Sequence, residues 1–212
     1  DYIYISSSFF YDSVMNEDLY KIYVEKTFKN KLSVTNFNQN LDNDYENYIG
    51  LVNLTKKLAI NNPKKTFIFR PHPRQDLKKV LKRFGKIPKN LKIVFKFTST
   101  PWIICSKYFI HSHCTTVYEA LILQKRIFCY RENLNTFHKR SFINFGKFSS
   151  DFNTILKDIS YSLLNKGIDK PLNSSLAKLI HLDKKKPSSE IISNYIFSEF
   201  KNLKSSLKIY KD

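Results

Sequence analysis

Two short stretches of this chain carry side chains whose chemistry and spacing suit the capture of an anion. The first is Arg70-Pro-His-Pro73. Its two prolines fix the backbone, so that Arg70 and His72 leave the end of an apolar run in defined directions. A guanidinium suits bidentate recognition of a phosphate or carboxylate. An imidazole donates to a phosphate oxygen, or acts as an acid to a leaving phosphate when it is itself protonated. Without a ligand the same residues read as a rigid strand exit with a solvated arginine. The second stretch is Ser112-His-Cys-Thr-Thr116, directly before Val117-Tyr-Glu119. Ser112, Thr115 and Thr116 offer hydroxyls, and the first N–H groups of a following helix lack partners inside it. With the helix dipole they suit a phosphate. Thr116 and Glu119 also fit a capping box, so capping and ligand binding are both open readings of this turn.

The elements that must position these residues alternate along the chain. Tyr2-Ile-Tyr-Ile5 is a β-prone run closed by Ser6 to Ser8, and Thr66 to Phe69 is a continuous apolar run. Leu91 to Phe97, Tyr108 to Ile110 and Ile127 to Tyr130 read as further strands. Between them lie helical patterns: from Asp44 to Ile60, from Asp76 through Arg83 with Gly85 as the stop, from Trp102 to Lys107 behind Pro101, and after Thr116. Asp151 to Leu164 and Pro187 to Leu203 continue the series. Strands alternating with helices predict an α/β fold, a Rossmann-like parallel sheet flanked by helices. In such sheets ligands sit beyond the carboxyl ends of the strands, and both anion-suited stretches fall at such ends. Trp102, the only tryptophan, reads as a core or interface anchor more readily than as a ligand-stacking ring. Arg131, Glu132, His138, Lys139 and Arg140 either add cations to the same cleft or form a solvated loop.

The 212 residues are enough for one full core. The organisation expected is a nucleotide-sugar-binding domain over residues 1–203, with residues 11–43 as a polar, Asn-rich excursion or lid, and a tail over 204–212. A hydrophobic share of 42% excludes general disorder. Three cysteines, Cys105, Cys114 and Cys129, have no paired metal spacing and read as buried reduced thiols of a cytoplasmic protein. The net charge of +18 admits nucleic acid, an anionic membrane surface or phosphorylated substrates as partners. Nucleic acid is the least favoured, because no aromatic-basic recognition motif accompanies the lysines. No cluster of carboxylates suggests a metal.

Arg70-Pro-His-Pro, then Pro101-Trp102-Ile, then His113-Cys-Thr-Thr-Val-Tyr-Glu-Ala120 with its following strand resemble the C-terminal half of the bacterial surface carbohydrate biosynthesis family, which are GT-B-like glycosyltransferases. The His-Pro pair and the Ser/Thr turn are also similar to those of bacterial sialyltransferases, polysialyltransferases and capsule Kdo transferases, which use CMP-activated sugars. The resemblance spans residues 1–203. It implies the C-terminal domain of a GT-B fold, in which His72 is catalytic and, with Thr115 and Thr116, holds the nucleotide phosphate. Glu119 would bind the ribose, and Arg70 would lie near the phosphate or a sugar carboxylate, with Pro73 and Ser112 completing the substrate site. It implies a nucleotide-sugar co-substrate without other cofactor, and a glycan or glycolipid acceptor. An N-terminal Rossmann domain or partner chain would supply the acceptor site, at the inner face of a membrane that the protein contacts peripherally. The chain begins at Asp1 and is expected to be the donor-binding half of a longer enzyme. Gln124 departs from relatives, which often carry Gly before Lys125. Three alternatives stand beside this reading: a CDP-polyol phosphotransferase, a sugar-nucleotide epimerase of GT-B shape, and a basic module binding nucleic acid or a membrane surface.

Overall fold

A computed structural model describes residues 2–7, 26, 31–134 and 145–164. The chain divides into two units, Asp1–Leu172 and Asn173–Asp212, and all of the described residues lie in the first. The expected helix from Pro187 to Leu203, the tail over 204–212 and most of the stretch 11–30 therefore fall outside the described residues, as do His138, Lys139 and Arg140.

Among the described residues, six strands form one parallel sheet: β1 (Tyr2–Ser6), β2 (Thr66–Arg70), β3 (Leu91–Ile93), β4 (Ser106–His111), β5 (Arg126–Tyr130) and β6 (Lys147–Ser149). Their order is β3-β2-β1-β4-β5-β6. All-parallel pairing with this order defines a Rossmann-like, doubly wound α/β fold. Five helices accompany the strands among the described residues: α1 (Lys31–Asn61), α2 (Leu77–Phe84), α3 (Ser99–Cys105), α4 (Val117–Ile122) and α5 (Phe152–Leu164).

Strand alternation splits the core into two layers. Ile3, Ile5, Phe67, Phe69, Tyr108, Ile110, Phe128 and Tyr130 face α1, α2 and α5, which bury Leu51, Leu54, Leu58, Val80, Phe84, Ile155 and Ile159 against them. Tyr4, Ile68, Phe109 and Cys129 turn to the opposite layer, where Ile103 of α3 and Val117, Ala120 and Leu121 of α4 are buried. Ile3, Tyr4 and Ile5 have no exposed surface, and a fully buried side chain of this kind contributes about 1.5–3 kcal/mol.

Local signals explain most boundaries. Asp76 caps α2 through Oδ1, which accepts from the N–H groups of Lys78 and Lys79 at 2.7 and 3.4 Å, and Gly85 ends the helix at φ 57°. Asn90 Nδ2 reaches the carbonyls of Ala59, Asn62 and Lys65 at 2.9, 3.0 and 2.9 Å, pinning the end of α1 to the entry of β2. Asp151 Oδ1 accepts from the Thr154 N–H at 2.7 Å and opens α5.

Three expectations need correction. Helix α1 begins at Lys31 rather than at Asp44, so residues 31–43 are helical and Asp44 lies inside the helix. Its Asn-rich first half has low intrinsic propensity, and tertiary bonds hold it. Asn47 exchanges two bonds of 2.8 Å with the Asn133 backbone, and Asn43 accepts from Asn133 Nδ2 at 2.8 Å. The strand expected to reach Phe97 stops at Ile93, where its pairing with β2 ends, and the chain then turns, with Phe97 in a left-handed conformation (φ 65°). The helix expected from Trp102 begins earlier, at Ser99, and gives way to β4 at Ser106.

Gly146 leads into β6 with φ 131°, and a Cβ there would lie 2.5 Å from the Ile127 carbonyl oxygen. The Ile127 carbonyl is backbone and cannot yield as the far end of a flexible side chain would. Gly146→Ala is expected to destabilise the domain by roughly 2 kcal/mol or more, read as a drop in thermal midpoint of about 4–8 °C by circular dichroism.

Candidate functional site

The sheet order sets the two anion-suited stretches one strand apart. Ser6 pairs with Arg70 on one side and with His111 on the other. The exits of β2 and β4 therefore stand level, about 10 Å apart across β1. The chain winds outward from β1 through β2 and β3, then returns to start β4 on the other side of β1. This reversal makes the β1–β4 boundary the topological switch point, where open α/β sheets bind their ligands. Tyr4 and Ser6 of β1, and Arg70 of β2, alternate onto the α3–α4 side of this edge.

Hydrogen bonds stitch the exit of β1 to the turn after β4. Thr116 Oγ1 donates to Ser6 Oγ at 3.2 Å, Ser6 Oγ donates to Cys114 Sγ at 3.0 Å, and Cys114 Sγ lies 2.9 Å from Thr116 Oγ1. Thr115 is exposed and Thr116 half-buried. Ser112 is fully buried and its hydroxyl lies 3.2 Å from His113 Nδ1, so this residue does not face a ligand as expected. The capping box is not formed either. Thr116 adopts a helical conformation at the start of α4 with no side-chain cap, and Glu119 reaches away from it. Glu119 Oε2 accepts from Thr100 Oγ1 at 2.6 Å, and Oε1 accepts from Ser99 Oγ at 3.3 Å, which ties α4 to α3. Helix α4 has only six residues, so hydroxyls rather than a helix dipole are what this turn offers.

On the β2 side, Arg70 Nη2 donates to the Phe97 carbonyl at 2.7 Å. Trp102 braces the same turn: its indole N–H donates to the Lys96 carbonyl at 2.9 Å, and its ring lies 6.4 Å from that of Phe97. His72 is half-buried. Its backbone N–H donates to Gln75 Oε1 at 2.7 Å, and its Nδ1 accepts from the Arg74 N–H at 3.2 Å. With Nδ1 accepting, the neutral ring carries its proton on Nε2. Burial, with the Arg74 and Arg70 charges beside it, lowers the imidazole below its ordinary pKa of 6.5. At neutral pH it is an uncharged N–H donor, and protonated acid chemistry at His72 is disfavoured. Pro71 is buried and Pro73 exposed, and both shape the exit.

Behind the β4 and β5 exits lies a buried charged layer. Arg131 has no exposed surface, so it is neither a cation of the cleft nor part of a solvated loop. Burial lowers its pKa, and the nearby Cys129 thiol and Asp44 carboxylate oppose this. Asp44, itself buried, places Oδ1 4.0 Å from His113 Nε2. His111 is fully buried with its ring 5.4 Å from Phe109. Burial and the Arg131 charge push its pKa down to about 3. Cys129 is also buried, which pushes its thiol up to about 12. Of the three free cysteines only Cys129 is fully buried; Cys114 is partly so and Cys105 is exposed. Nothing local in the sequence marks Asp44 and Arg131 as neighbours. Ser6 at a strand exit was a legible signal.

The fold and this edge define a Rossmann-like α/β domain with a candidate anion site at its switch point. No protein-family model matches the chain. No curated protein matches it. Two solved structures that do match are the spinosyn rhamnosyltransferase SpnG complexed with spinosyn aglycone and the Methanocaldococcus jannaschii UDP-GlcNAc 2-epimerase in complex with UDP-GlcNAc and UDP. The first is 13% identical with a TM-score of 0.40, over 54% of this chain and 32% of the other. The second is 18% identical with a TM-score of 0.42, over 78% of this chain and 39% of the other. The match thus spans well under half the length of either structure. Among the described residues no helix is long and apolar enough to cross a membrane.

Proposed function

We propose that this domain binds a nucleotide-activated sugar, with a CMP-linked donor favoured, and serves glycosyl transfer in cytoplasmic assembly of a surface polysaccharide. In this reading it is the donor-binding half of a GT-B-like enzyme. The observation that carries the reading is the level, one-strand separation of the Arg70–His72 exit from the Thr115–Thr116 turn, a span that a nucleotide phosphate and its sugar bridge. Arg70 supplies the charge that attracts the phosphate. The His72 Nε2–H and the hydroxyls of Thr115 and Thr116 donate to the oxygen that gains the electron pair when the sugar–phosphate bond breaks. Donors held in place for that developing charge lower the barrier without reorganising. Glu119, already accepting from Thr100, has lone pairs left for a ribose hydroxyl. The glycan or glycolipid acceptor is held by another domain or a partner chain, and no metal is required.

Calorimetric titration with CMP tests this. His72→Ala is expected to weaken binding by roughly ten- to a hundredfold, the usual value of a hydrogen bond to a charged group. The double variant Thr115→Val/Thr116→Val is expected to weaken it comparably, and EDTA to leave it unchanged. Equal affinities for wild type and His72→Ala would remove His72 from the site. Tight UMP binding with little affinity for CMP would redirect the reading toward a uridine-linked sugar.

A further inference from the structure

The positive charge of this protein is not spread evenly. Residues 64–107, which include β2, α2, β3 and α3, contain ten lysines and three arginines against one acid, Asp76. That acid is consumed in capping α2. The nucleotide reading uses Arg70 and leaves the lysines without a role.

Their placement is specific. Val80 and Phe84 form the buried stripe of α2. On one flank of that stripe Arg83 lies over the Tyr45 ring of α1, 5.2 Å from its centroid. The opposite flank therefore faces away from α1, toward the β3 edge of the sheet. It carries Leu77 and Leu81, one turn apart and 39% and 38% exposed, with Lys78 and Lys82 beside them. Lys86 and Lys89 are exposed in the connection that follows, which leads into β3, the last strand on this side.

We propose that the α2–β3 edge is a docking surface for an anionic phospholipid bilayer. A short helix with a basic flank and adjoining aliphatic side chains lies in the headgroup layer, its leucines reaching the acyl boundary. Lysines attract an anionic surface without needing the bidentate geometry that arginine provides. The exposed aliphatic pair separates this surface from a nucleic-acid site. Bases stack on aromatic or guanidinium planes, whereas leucine offers them nothing comparable. The surface is independent of the proposed nucleotide site, whose residues it does not include.

Sedimentation of the full chain with vesicles tests the proposal. One set is pure phosphatidylcholine, and the other contains roughly one-third phosphatidylglycerol, enough to give a negative surface. Wild type is expected to bind the second set and not the first. Lys78→Gln/Lys82→Gln is expected to lower the partition coefficient about thirtyfold. Leu77→Ser/Leu81→Ser is expected to retain binding at low salt and lose what survives about 0.5 M salt, where charge attraction is screened. Far-UV circular dichroism and the CMP titration verify that both variants are folded. Absence of binding to the anionic vesicles, or an unchanged partition for the lysine variant, overturns the proposal. So does tighter binding to a uridine-rich RNA oligonucleotide that is lost in the lysine variant and indifferent to the serine substitutions.

Discussion

Acidification from pH 7 to pH 4 is expected to destabilise the described domain by about 3 kcal/mol through His111 alone. The folded state holds this ring neutral, with a pKa of about 3 against an ordinary 6.5, chiefly because it is fully buried and secondly because Arg131 is close. The unfolded chain therefore binds one more proton than the folded chain between those two values. Stability is lost as the pH falls below 6.5, and the loss is complete near pH 3. Protonated carboxylates add to it in the same direction, so His111 must be isolated by substitution. Urea unfolding at several pH values, for wild type and His111→Gln, provides the measurement. The variant should show a pH dependence shallower by about the stated amount. If both proteins lose equal stability between pH 7 and pH 4, His111 is not held neutral in the folded state.

Asp44→Ala is expected to cost about 3–5 kcal/mol, the usual result of stripping the partner from a buried charge. Asp44 and Arg131 lie about half the domain apart in sequence, yet both are buried and close enough for the carboxylate to favour the charged guanidinium. His113 is the third member, 4.0 Å from the carboxylate. The substitution leaves the guanidinium without its counter-charge. If charge is the cause, Asp44→Asn/Arg131→Met should recover much of the loss, because an apolar side chain at position 131 no longer needs compensation. Urea midpoints for the two variants decide this. A double variant as unstable as Asp44→Ala would locate the effect in packing. The same cluster underlies the Ser112–Thr116 turn, so CMP affinity should weaken with Asp44→Ala and return with the double variant.

Much of this was legible in the residues. The Arg70-Pro-His-Pro exit was recognisable because an apolar strand and two prolines leave the chain few conformations. Helix α2 was recognisable at both ends because Asp76 and Gly85 act through local bonds and local backbone freedom. The Thr116–Glu119 capping box does not form because Thr100, 19 residues from Glu119 in sequence, competes for its carboxylate and wins over the local cap. The length of α1 was hidden because Asn43 and Asn47 stabilise it through Asn133, on a distant strand exit. Ser112 was misassigned because a hydroxyl in a polar turn looks exposed until the turn is folded over His113. Gln124 carried a signal of another kind. It adopts φ 51°, a left-handed conformation that glycine enters without steric cost and that a glutamine seldom takes.

Strand β1 lies in the middle of the sheet but near the beginning of the chain. Its five residues join β2, some sixty positions later, to β4, some hundred positions later. Neither neighbour pairs with the other, so without Tyr2–Ser6 the sheet separates into a β3–β2 pair and a β4–β5–β6 ribbon. Closing such long loops is entropically slow. The central position must then wait for both flanks to be available, which makes assembly of this domain an event of the whole chain rather than a progression from one end.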